Sequence, residues 1–487
     1  MKIGFNSELY MEKQTQKILE IIKKFDNKLY LEFGGKLFDD FHAARVLPGF
    51  DPNVKIKLLQ KLKDQLEIIF CISAKDIERN KMRADFGITY GAEVIRLINI
   101  MRNLGISVNS VVITQYEEQP TATAFKRKLE LRGEKVYLHR FTKGYPNDVD
   151  TIVSDEGYGK NPYIVTSKPL VVVTAPGPSS GKLGTCLGQL YHEAKRGIKA
   201  GYAKFETFPV WNLPLKHPVN IAYEAATADI KDVNMIDSYH LEAYGETTVN
   251  YNRDIELFPV IRTIMSRISP DLNYKSPTDM GVNMVGNCIT DDEVVREAAK
   301  QEVIRRYFTT KCAYRNGLMD MGAVNREEFL MGDLGIRPDY RNVVEPARQK
   351  SEQSGCPAVA MEMPDGKIIT GRRTDLLTAS AAAVLNALKY LAKIQDDVLL
   401  IDTTVIEPII DVKQNALKDK VLRLDLKEVI VALTVCASFN PVAKLALNEL
   451  NELRCTELHS TVMLYANDEN ILRKLGIHVT CDDIFED

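Results

Sequence analysis

The first 230 residues alternate short apolar runs with amphipathic stretches of helical length. Apolar runs at residues 29–33, 68–73, 111–114, 136–138 and 170–174 are separated by segments whose apolar residues recur at helical spacing. Strands connected through helices run parallel, and a parallel sheet is covered by helices on both faces. The alternation therefore predicts an α/β domain over residues 1–230, with one more strand at residues 219–223.

The pattern changes after residue 230. Residues 231–345 carry helical segments joined by short polar connections, which predicts a helical middle module that could act as a lid or an oligomer surface. A polar stretch at residues 341–355 marks a boundary, and strand and helix patterns then return. The predicted fold is thus a parallel-sheet N-terminal domain, a helical module and a second α/β domain over residues 346–487.

The composition is that of an ordinary globular protein, with 45% hydrophobic and 26% charged residues among 487. A net charge of −3 argues against nucleic acid as a partner. The start of the chain has no apolar signal core, and no run reaches the ~20 apolar residues of a membrane span. We expect a cytoplasmic protein with no membrane partner.

The cysteines and histidines do not form metal-binding motifs. The eight cysteines are scattered singly without a C-x-x-C pair, which indicates reduced thiols and argues against zinc knuckles. The seven histidines never form H-E-x-x-H, the motif of one large class of metallopeptidases. The sequence therefore predicts no metal ligands.

An anion site is predicted where the apolar run at residues 170–174 meets a Gly/Ser-rich turn and a helix. The turn reads Ala175-Pro176-Gly177-Pro178-Ser179-Ser180-Gly181-Lys182. Such a turn aims backbone N–H groups and the positive end of the helix dipole at one point, and a lysine adds a full charge. The expected ligand is a phosphate group, held by Gly177, Ser179, Ser180, Gly181, Lys182 and Thr185.

The turn resembles a Walker A loop, G-x-x-x-x-G-K-[ST], only in part. Pro176 occupies the first glycine position, and Leu183 stands where a hydroxyl would meet Mg²⁺. Thr185 can replace that hydroxyl only if the helix starts differently. The alternative is a tight turn in which Gly and Pro serve backbone geometry alone.

Basic side chains follow two other predicted strands. They are expected at the carboxyl edge of the sheet, where ligands of open parallel sheets bind. The alternative is a solvated basic face and, for the histidine, a hydrogen-bonded core position. The predicted substrate-binding residues are Lys36, His42, Arg45, Lys81 and Arg83.

A carboxylate follows the predicted strand at residues 219–223. Asp229, placed past a strand beside a phosphate turn, could hold Mg²⁺ or deprotonate an acceptor hydroxyl. It is therefore predicted to be catalytic together with Lys182. The alternative is that Thr227 or Asp229 caps the next helix.

Several strings in this chain are long and specific. They are Gly35-Lys36 through His42, Arg45 and Pro48-Gly49-Phe50; Asn80-Lys81-Met82-Arg83; Thr174-Ala175-Pro176-Gly177 through Gly181-Lys182; Leu190-Tyr191-His192-Glu193; residues 223–229; and Ser276-Pro277-Thr278-Asp279-Met280-Gly281.

With these strings, the whole chain resembles a family of uncharacterised bacterial proteins known as a domain of unknown function, some of which carry the label ATP-dependent peptidase. The resemblance implies an oligomeric, multi-domain α/β protein with no agreed reaction. It also suggests that the C-terminal part shares a general layout with deaminase-like α/β folds, although the Cys and His spacing of a deaminase zinc site is missing. The peptidase label finds no metal motif or nucleophile triad in this sequence.

Three functions follow as hypotheses. The leading one is an enzyme that binds ATP, another nucleotide with Mg²⁺, or another phosphorylated small molecule at the turn and transfers a phosphoryl group. The second is a non-catalytic homo-oligomer that uses a bound anion for regulation or structure. The third is a hydrolase or peptidase using His192 and Glu193, or Glu457 and His459.

Overall fold

The computed structural model describes residues 2–83 and 87–486, which form two compact units. The larger unit comprises Lys2–Glu224 and Asp232–Ala299, and the smaller unit comprises Ala225–Lys231 and the chain from Lys300 onward. The predicted boundaries at residues 230 and 345 stay a prediction. Among the described residues, no helix is both long and apolar enough to cross a membrane.

The larger unit is built on a seven-stranded sheet in the order β11-β8-β1-β7-β2-β5-β6, with every pairing parallel. Two short antiparallel pairs, β3 with β4 and β9 with β10, lie outside it. The predicted α/β fold with a parallel sheet is confirmed. The strands are β1 (Leu29–Phe33), β2 (Leu66–Ser73), β3 (Met82–Arg83), β4 (Ile88–Thr89), β5 (Ser107–Thr114), β6 (Val136–Leu138), β7 (Leu170–Thr174), β8 (Gly201–Phe205), β9 (Asn234–Ile236), β10 (Val249–Tyr251) and β11 (Gly281–Val282).

Helices connect these strands. The first is typical: Asn6 accepts a hydrogen bond from the backbone N–H of Leu9 at 3.0 Å, and Ile18 and Ile22 bury its apolar face. The helices up to residue 268 are α1 (Ser7–Lys24), α2 (Phe41–Val46), α3 (Val54–Lys61), α4 (Ala74–Glu78), α5 (Tyr90–Asn103), α6 (Pro120–Leu131), α7 (Val149–Ile152), α8 (Lys182–Lys195), α9 (Pro218–Ala226), α10 (Ser238–Tyr244) and α11 (Asn252–Ile268).

Strand β7 lies in the middle of the sheet, between β1 and β2, although it comes late in the chain. All five of its residues are buried, and α8 and α11 pack over the face that carries Val171 and Val173. In the parallel register, Glu32 of β1 lies beside Val173 of β7 on one side and beside Lys204 of β8 on the other. The ends of three central strands therefore meet at one edge.

One prediction for the larger unit is wrong, and one strand of its sheet was not predicted. Residues 219–223 belong to helix α9 rather than to a strand. Strand β8 was not predicted, because its Gly201 and Lys204 interrupt the apolar pattern.

The smaller unit holds a four-stranded sheet in the order β13-β12-β14-β15. Strands β12 and β13 pair antiparallel as a hairpin, and β14 pairs with β12 on one side and with β15 on the other. Helices α15, α17 and α18 supply most of its apolar core. The strands are β12 (Ala358–Glu362), β13 (Ile368–Arg372), β14 (Glu457–Ser460) and β15 (His478–Cys481). The remaining helices are α12 (Asp292–Arg315), α13 (Met321–Leu334), α14 (Val344–Ser354), α15 (Ala379–Leu391), α16 (Thr403–Asp411), α17 (Leu426–Cys436), α18 (Pro441–Asn448) and α19 (Ala466–Lys474).

Candidate functional site

The predicted strand, turn and helix are present as β7, residues 175–181 and α8. Two residues of the turn take the left-handed backbone region, Ser179 at φ 57° and Gly181 at φ 79°. A Cβ atom on Gly181 would lie 2.8 Å from the Thr114 side chain, so this position needs glycine for space as well as for φ.

The carbonyl groups of the turn are held by side chains. The Ser180 hydroxyl donates to the carbonyl of Gly177 at 2.9 Å, and the Thr114 hydroxyl donates to the carbonyl of Ser180 at 2.9 Å. The buried Thr185 hydroxyl donates to the carbonyl of Gly181 at 3.0 Å. Thr185 thus stabilises the first turn of α8, and Ser180 is also buried.

The amide groups of the same turn have no such partners. Gly181 caps α8 without a side-chain hydrogen bond, and the N–H groups of residues 179–184 donate to no acceptor in the part of the chain that is described. Lys182 is half-buried and forms no hydrogen bond or ion pair with any described residue. The start of α8 therefore presents several donors and one cation without an acceptor.

Lys81 lies near this turn, whereas Arg83 is engaged elsewhere. A Cβ atom on Gly177 would come within 2.3 Å of the Tyr90 hydroxyl, so the ring of Tyr90 packs against the turn. The Lys81 Nζ atom lies 5.1 Å from the centre of that ring. Arg83 instead donates to the fully buried Glu93 at 2.6 Å.

The other predicted basic residues follow β1, the neighbour of β7. Lys36 is exposed, while His42 and Arg45 are half-buried on α2 and the ring of His42 lies 5.6 Å from that of Phe208. Asp40, which caps α2, accepts a hydrogen bond from the buried Lys55 at 2.7 Å. The structure therefore brings these residues to the edge of the sheet that carries the turn.

A polar network that the sequence analysis missed lies at the ends of β1 and β8. Lys204 Nζ donates to the Tyr251 hydroxyl at 2.5 Å, lies 2.8 Å from Glu206 Oε1, and also contacts Asp254. The Tyr251 hydroxyl donates to Glu206 at 3.0 Å, and the Tyr202 hydroxyl donates to Glu32 at 2.8 Å. These residues come from three distant segments of the chain, so no local sequence motif could identify the network.

Burial and charge compete within this network. Burial raises the pKa of Glu206, although Lys204 acts in the opposite direction. Burial also opposes the charge of Lys204, but Asp254 and Glu206 outweigh it and hold the pKa of Lys204 well above its ordinary value. Burial, reinforced by Glu206, raises the pKa of Tyr251. The result is a lysine that stays charged beside a carboxyl that holds its proton more tightly than usual.

Electrostatics connect the network to the turn. Burial raises the pKa of Cys71 to about 12, while the nearby Lys182 acts to lower it and Glu32 acts to raise it. The pKa of Cys186 responds to the same two charges. Lys182 and Glu32 therefore act on the same buried thiols, and Glu32 lies beside Val173, close to the end of β7 that leads into the turn.

Asp229 does not follow a strand, contrary to the reasoning that selected it. It lies in a single 3₁₀ turn, Ala228–Ile230, after helix α9, and it belongs to the smaller unit, whereas Lys182 belongs to the larger one. Its catalytic role stays a prediction without support from a strand end.

The acid–histidine pairs of the third hypothesis are engaged in local packing. Glu193 accepts hydrogen bonds from Tyr30 at 2.6 Å and Tyr163 at 3.1 Å, and a His192 ring nitrogen lies 2.8 Å from the Asn161 carbonyl. Glu457 pairs with Arg305 at 2.8 Å and Arg341 at 2.9 Å. No group of three or more His, Cys, Asp and Glu side chains within residues 2–83 and 87–486 could hold a metal ion.

Comparisons with known proteins cover the whole length. Residues 3–335 match the N-terminal model of a domain of unknown function, DUF1846, and residues 339–487 match its C-terminal model. The chain is 58% identical over 498 residues to a UPF0371 protein of Fusobacterium nucleatum, covering 100% of this chain and 98% of the relative. It is 58% identical to one of Clostridium tetani and 57% identical to one of Clostridioides difficile, each over 491 residues, 99% of this chain and 98% of the relative. The resemblance stated from the sequence is confirmed: the chain belongs to the DUF1846 family.

Proposed function

We propose that the chain binds a phosphorylated small molecule, with a phosphate held at the turn between β7 and α8. The observation that carries the proposal is the set of N–H groups at residues 179–184 that have no acceptor among the described residues, beside an equally unpartnered Lys182. Converging N–H groups and an ammonium group at a helix start bind oxyanions. Gly177, Ser179 and Gly181 allow the backbone to approach the phosphate, and Lys36, His42, Arg45 and Lys81 are the candidate contacts to the rest of the ligand.

The reaction that this arrangement supports best is group transfer. Lys182 would neutralise charge that develops on a phosphoryl group. Glu206 and Tyr251, linked through Lys204, would accept and return the proton of an acceptor group held near Glu32. The site thus offers an anion holder and a proton carrier at one edge of the sheet.

The choice of ligand is narrowed by the residue after Lys182. Leu183 has no hydroxyl for Mg²⁺, and the hydroxyl of Thr185 is committed to the Gly181 carbonyl. This favours a phosphate ester held without a magnesium ligand from α8. ATP or another nucleotide with Mg²⁺ is the competing ligand class.

Calorimetry on the full chain tests the proposal, with inorganic phosphate, sugar phosphates, ATP and GTP, each with and without Mg²⁺. Lys182→Ala is expected to weaken binding ~10- to 100-fold, because one charge-assisted contact of about 1.5–3 kcal/mol is lost. Lys195→Ala, a charge-matched change at the other end of α8, should bind as the parent does. Absence of binding to every compound, or equal binding by Lys182→Ala, would refute the proposal.

The second candidate is an anion-binding homo-oligomer without a reaction. It is favoured by the same observation that α8 offers no hydroxyl to Mg²⁺. It predicts ligand binding with a change in assembly state, measured by sedimentation, and no product. If the parent turns over a substrate, and Glu206→Gln abolishes turnover while phosphate binding persists, the result favours the enzyme over the non-catalytic oligomer.

A further inference from the structure

We propose that Cys312 and Cys481 form a reversible disulfide by exchange with a low-molecular-weight disulfide, a modification that the proposed phosphate binding does not involve. Cys312 lies near the end of α12, and Cys481 is the last residue of β15, an edge strand of the four-stranded sheet. Their Sγ atoms are 3.5 Å apart in the reduced protein.

The geometry is close to that of a disulfide. An S–S bond is about 2.05 Å long, so the two sulfur atoms need to approach by roughly 1.5 Å. The Cys312 thiol also lies 3.5 Å from the carbonyl oxygen of Cys481, which holds the two residues together.

The surroundings shift the pKa values of the two thiols in opposite directions. The hydrogen bond from Cys312 lowers the pKa of Cys481, while the same contact and burial raise the pKa of Cys312. Both side chains are half-buried rather than sealed. Cys481 is therefore the thiolate that attacks first, and Cys312 is the thiol that resolves.

The other six cysteines lack this arrangement. Cys71, Cys186, Cys288 and Cys436 are buried, Cys356 is half-buried and Cys455 is exposed. None of the six makes a hydrogen bond to a second sulfur atom among the described residues. The pair at 312 and 481 is thus the chemically distinct one.

The exchange balances in two steps. The Cys481 thiolate attacks the small disulfide, forms a mixed disulfide and releases one small thiolate. Cys312 then loses its proton, attacks the sulfur of Cys481 and releases the second small thiolate. Two electrons pass from the cysteine pair to the small disulfide, and the two protons finish on the released thiols.

The test is peptide mapping of the full chain after incubation with oxidised glutathione and alkylation of the remaining thiols. The expected result is a linked peptide containing Cys312 and Cys481, loss of two of the eight thiols, and recovery of both with dithiothreitol. The bond joins residues 169 positions apart, so the oxidised protein should also melt at a higher temperature.

Single variants separate the steps. Cys312→Ser is expected to stop at a mixed disulfide of Cys481 with glutathione, and the Cys455→Ser control should still form the link. The proposal is overturned if Cys455 becomes glutathionylated in the parent while no 312–481 link forms at any glutathione ratio. It is also overturned if Cys312→Ser loses as many thiols to an internal disulfide as the parent. If a variant fails to fold, the peptide map of the parent protein tests the proposal by itself.

Discussion

The start of helix α8 in the larger unit and the start of α17 in the smaller unit meet the same electrostatic demand in opposite ways. At α17, Asp425 accepts from the N–H of Glu428 at 2.9 Å, Glu428 accepts from the N–H of Asp425 at 2.9 Å, and Asp468 accepts from the N–H of Leu426 at 2.7 Å. At α8, Gly181 supplies no side-chain acceptor. Helix α17 therefore has carboxylate acceptors from within the chain at its start, whereas the start of α8 has none in the part of the chain that the structure describes.

The difference shows what turns a helix start into a candidate site. Both helices present N–H groups and a positive dipole end. At α8 these groups lie beside the half-buried Lys182 and have no carboxylate acceptor among the described residues, whereas at α17 carboxylates accept from them and the lysine of the first turn, Lys427, is exposed. A third case, Glu327 on α13, is the reverse of α8: a fully buried carboxyl whose Oε2 atom has no hydrogen-bond partner among the described residues. Four predictions follow the comparison from the largest effect to the smallest.

Glu327 should make stability depend on pH. Burial raises its pKa to about 8, above the ordinary value of 4.5. Between these values the folded protein keeps a proton that the unfolded chain has released, so stability is full below about pH 4.5 and falls as the pH rises to about 8. We expect a loss on the order of 4 kcal/mol across this window. Urea unfolding at a series of pH values measures it, and Glu327→Gln should remove most of the slope.

Asp468→Ala should be strongly destabilising. The buried carboxylate accepts from the N–H of Leu426 and the hydroxyl of Thr378, each at 2.7 Å, and it also contacts the hydroxyl of Ser380. Its removal leaves buried donors unpaired, which costs about 3 kcal/mol. Denaturant unfolding measures the loss, and Asp468→Asn, which keeps one acceptor, should lose less. Equal stability of Asp468→Ala and the parent would show that α17 does not depend on an internal anion.

Two substitutions of Gly184 test whether the N–H groups at the start of α8 bind the phosphate. Gly184 is exposed in the first turn, and a Cβ atom there meets nothing within 4 Å. Gly184→Ala and Gly184→Glu should each raise stability by about 1 kcal/mol through helix propensity. Calorimetry with the phosphate ligand should show that only Gly184→Glu loses affinity, by ~10-fold or more, because its carboxylate competes for the N–H groups. Unchanged binding by Gly184→Glu would contradict the placement of the phosphate.

Asp425→Ala should remove a side-chain acceptor from the start of α17 and lower the stability of the protein slightly. Loss of the capping box lowers the free energy of unfolding by about 1 kcal/mol. No phosphate affinity should appear in this variant, since Glu428 and Asp468 remain at the start of α17 and its Lys427 is exposed. Thermal unfolding with and without phosphate checks both parts. If phosphate stabilises this variant through α17, N–H groups without an acceptor are sufficient to bind phosphate, and Lys182 is not what distinguishes α8.

The parts of the site that could be predicted are continuous in the sequence. Residues 170–182 combine an apolar strand, glycines and a lysine in one stretch, and their geometry follows from that order. The polar network could not be predicted in the same way, because Glu32, Lys204 and Asp254 meet only through strand register and helix packing.

The secondary-structure errors have local causes. The run at residues 219–223 is too short for periodicity to distinguish strand from helix, and Pro218 starts α9. Strand β14 is hard to recognise in the sequence because Glu457 and His459 interrupt its apolar pattern, and the charge of Glu457 is balanced by Arg305, which is distant in the chain. The fold class survives such errors because it depends on the alternation of many elements.

The late position of β7 in the chain dictates an order of assembly. β1 and β2 both pair with β7 and not with each other, so neither has its inner neighbour until residues 170–174 have left the ribosome. During synthesis the growing polypeptide thus holds two apolar strands without their shared neighbour, and β7 brings the turn at residues 175–181 with it. The centre of the sheet and the turn before α8 are therefore formed together, before β8 and β11 extend the sheet beyond β1.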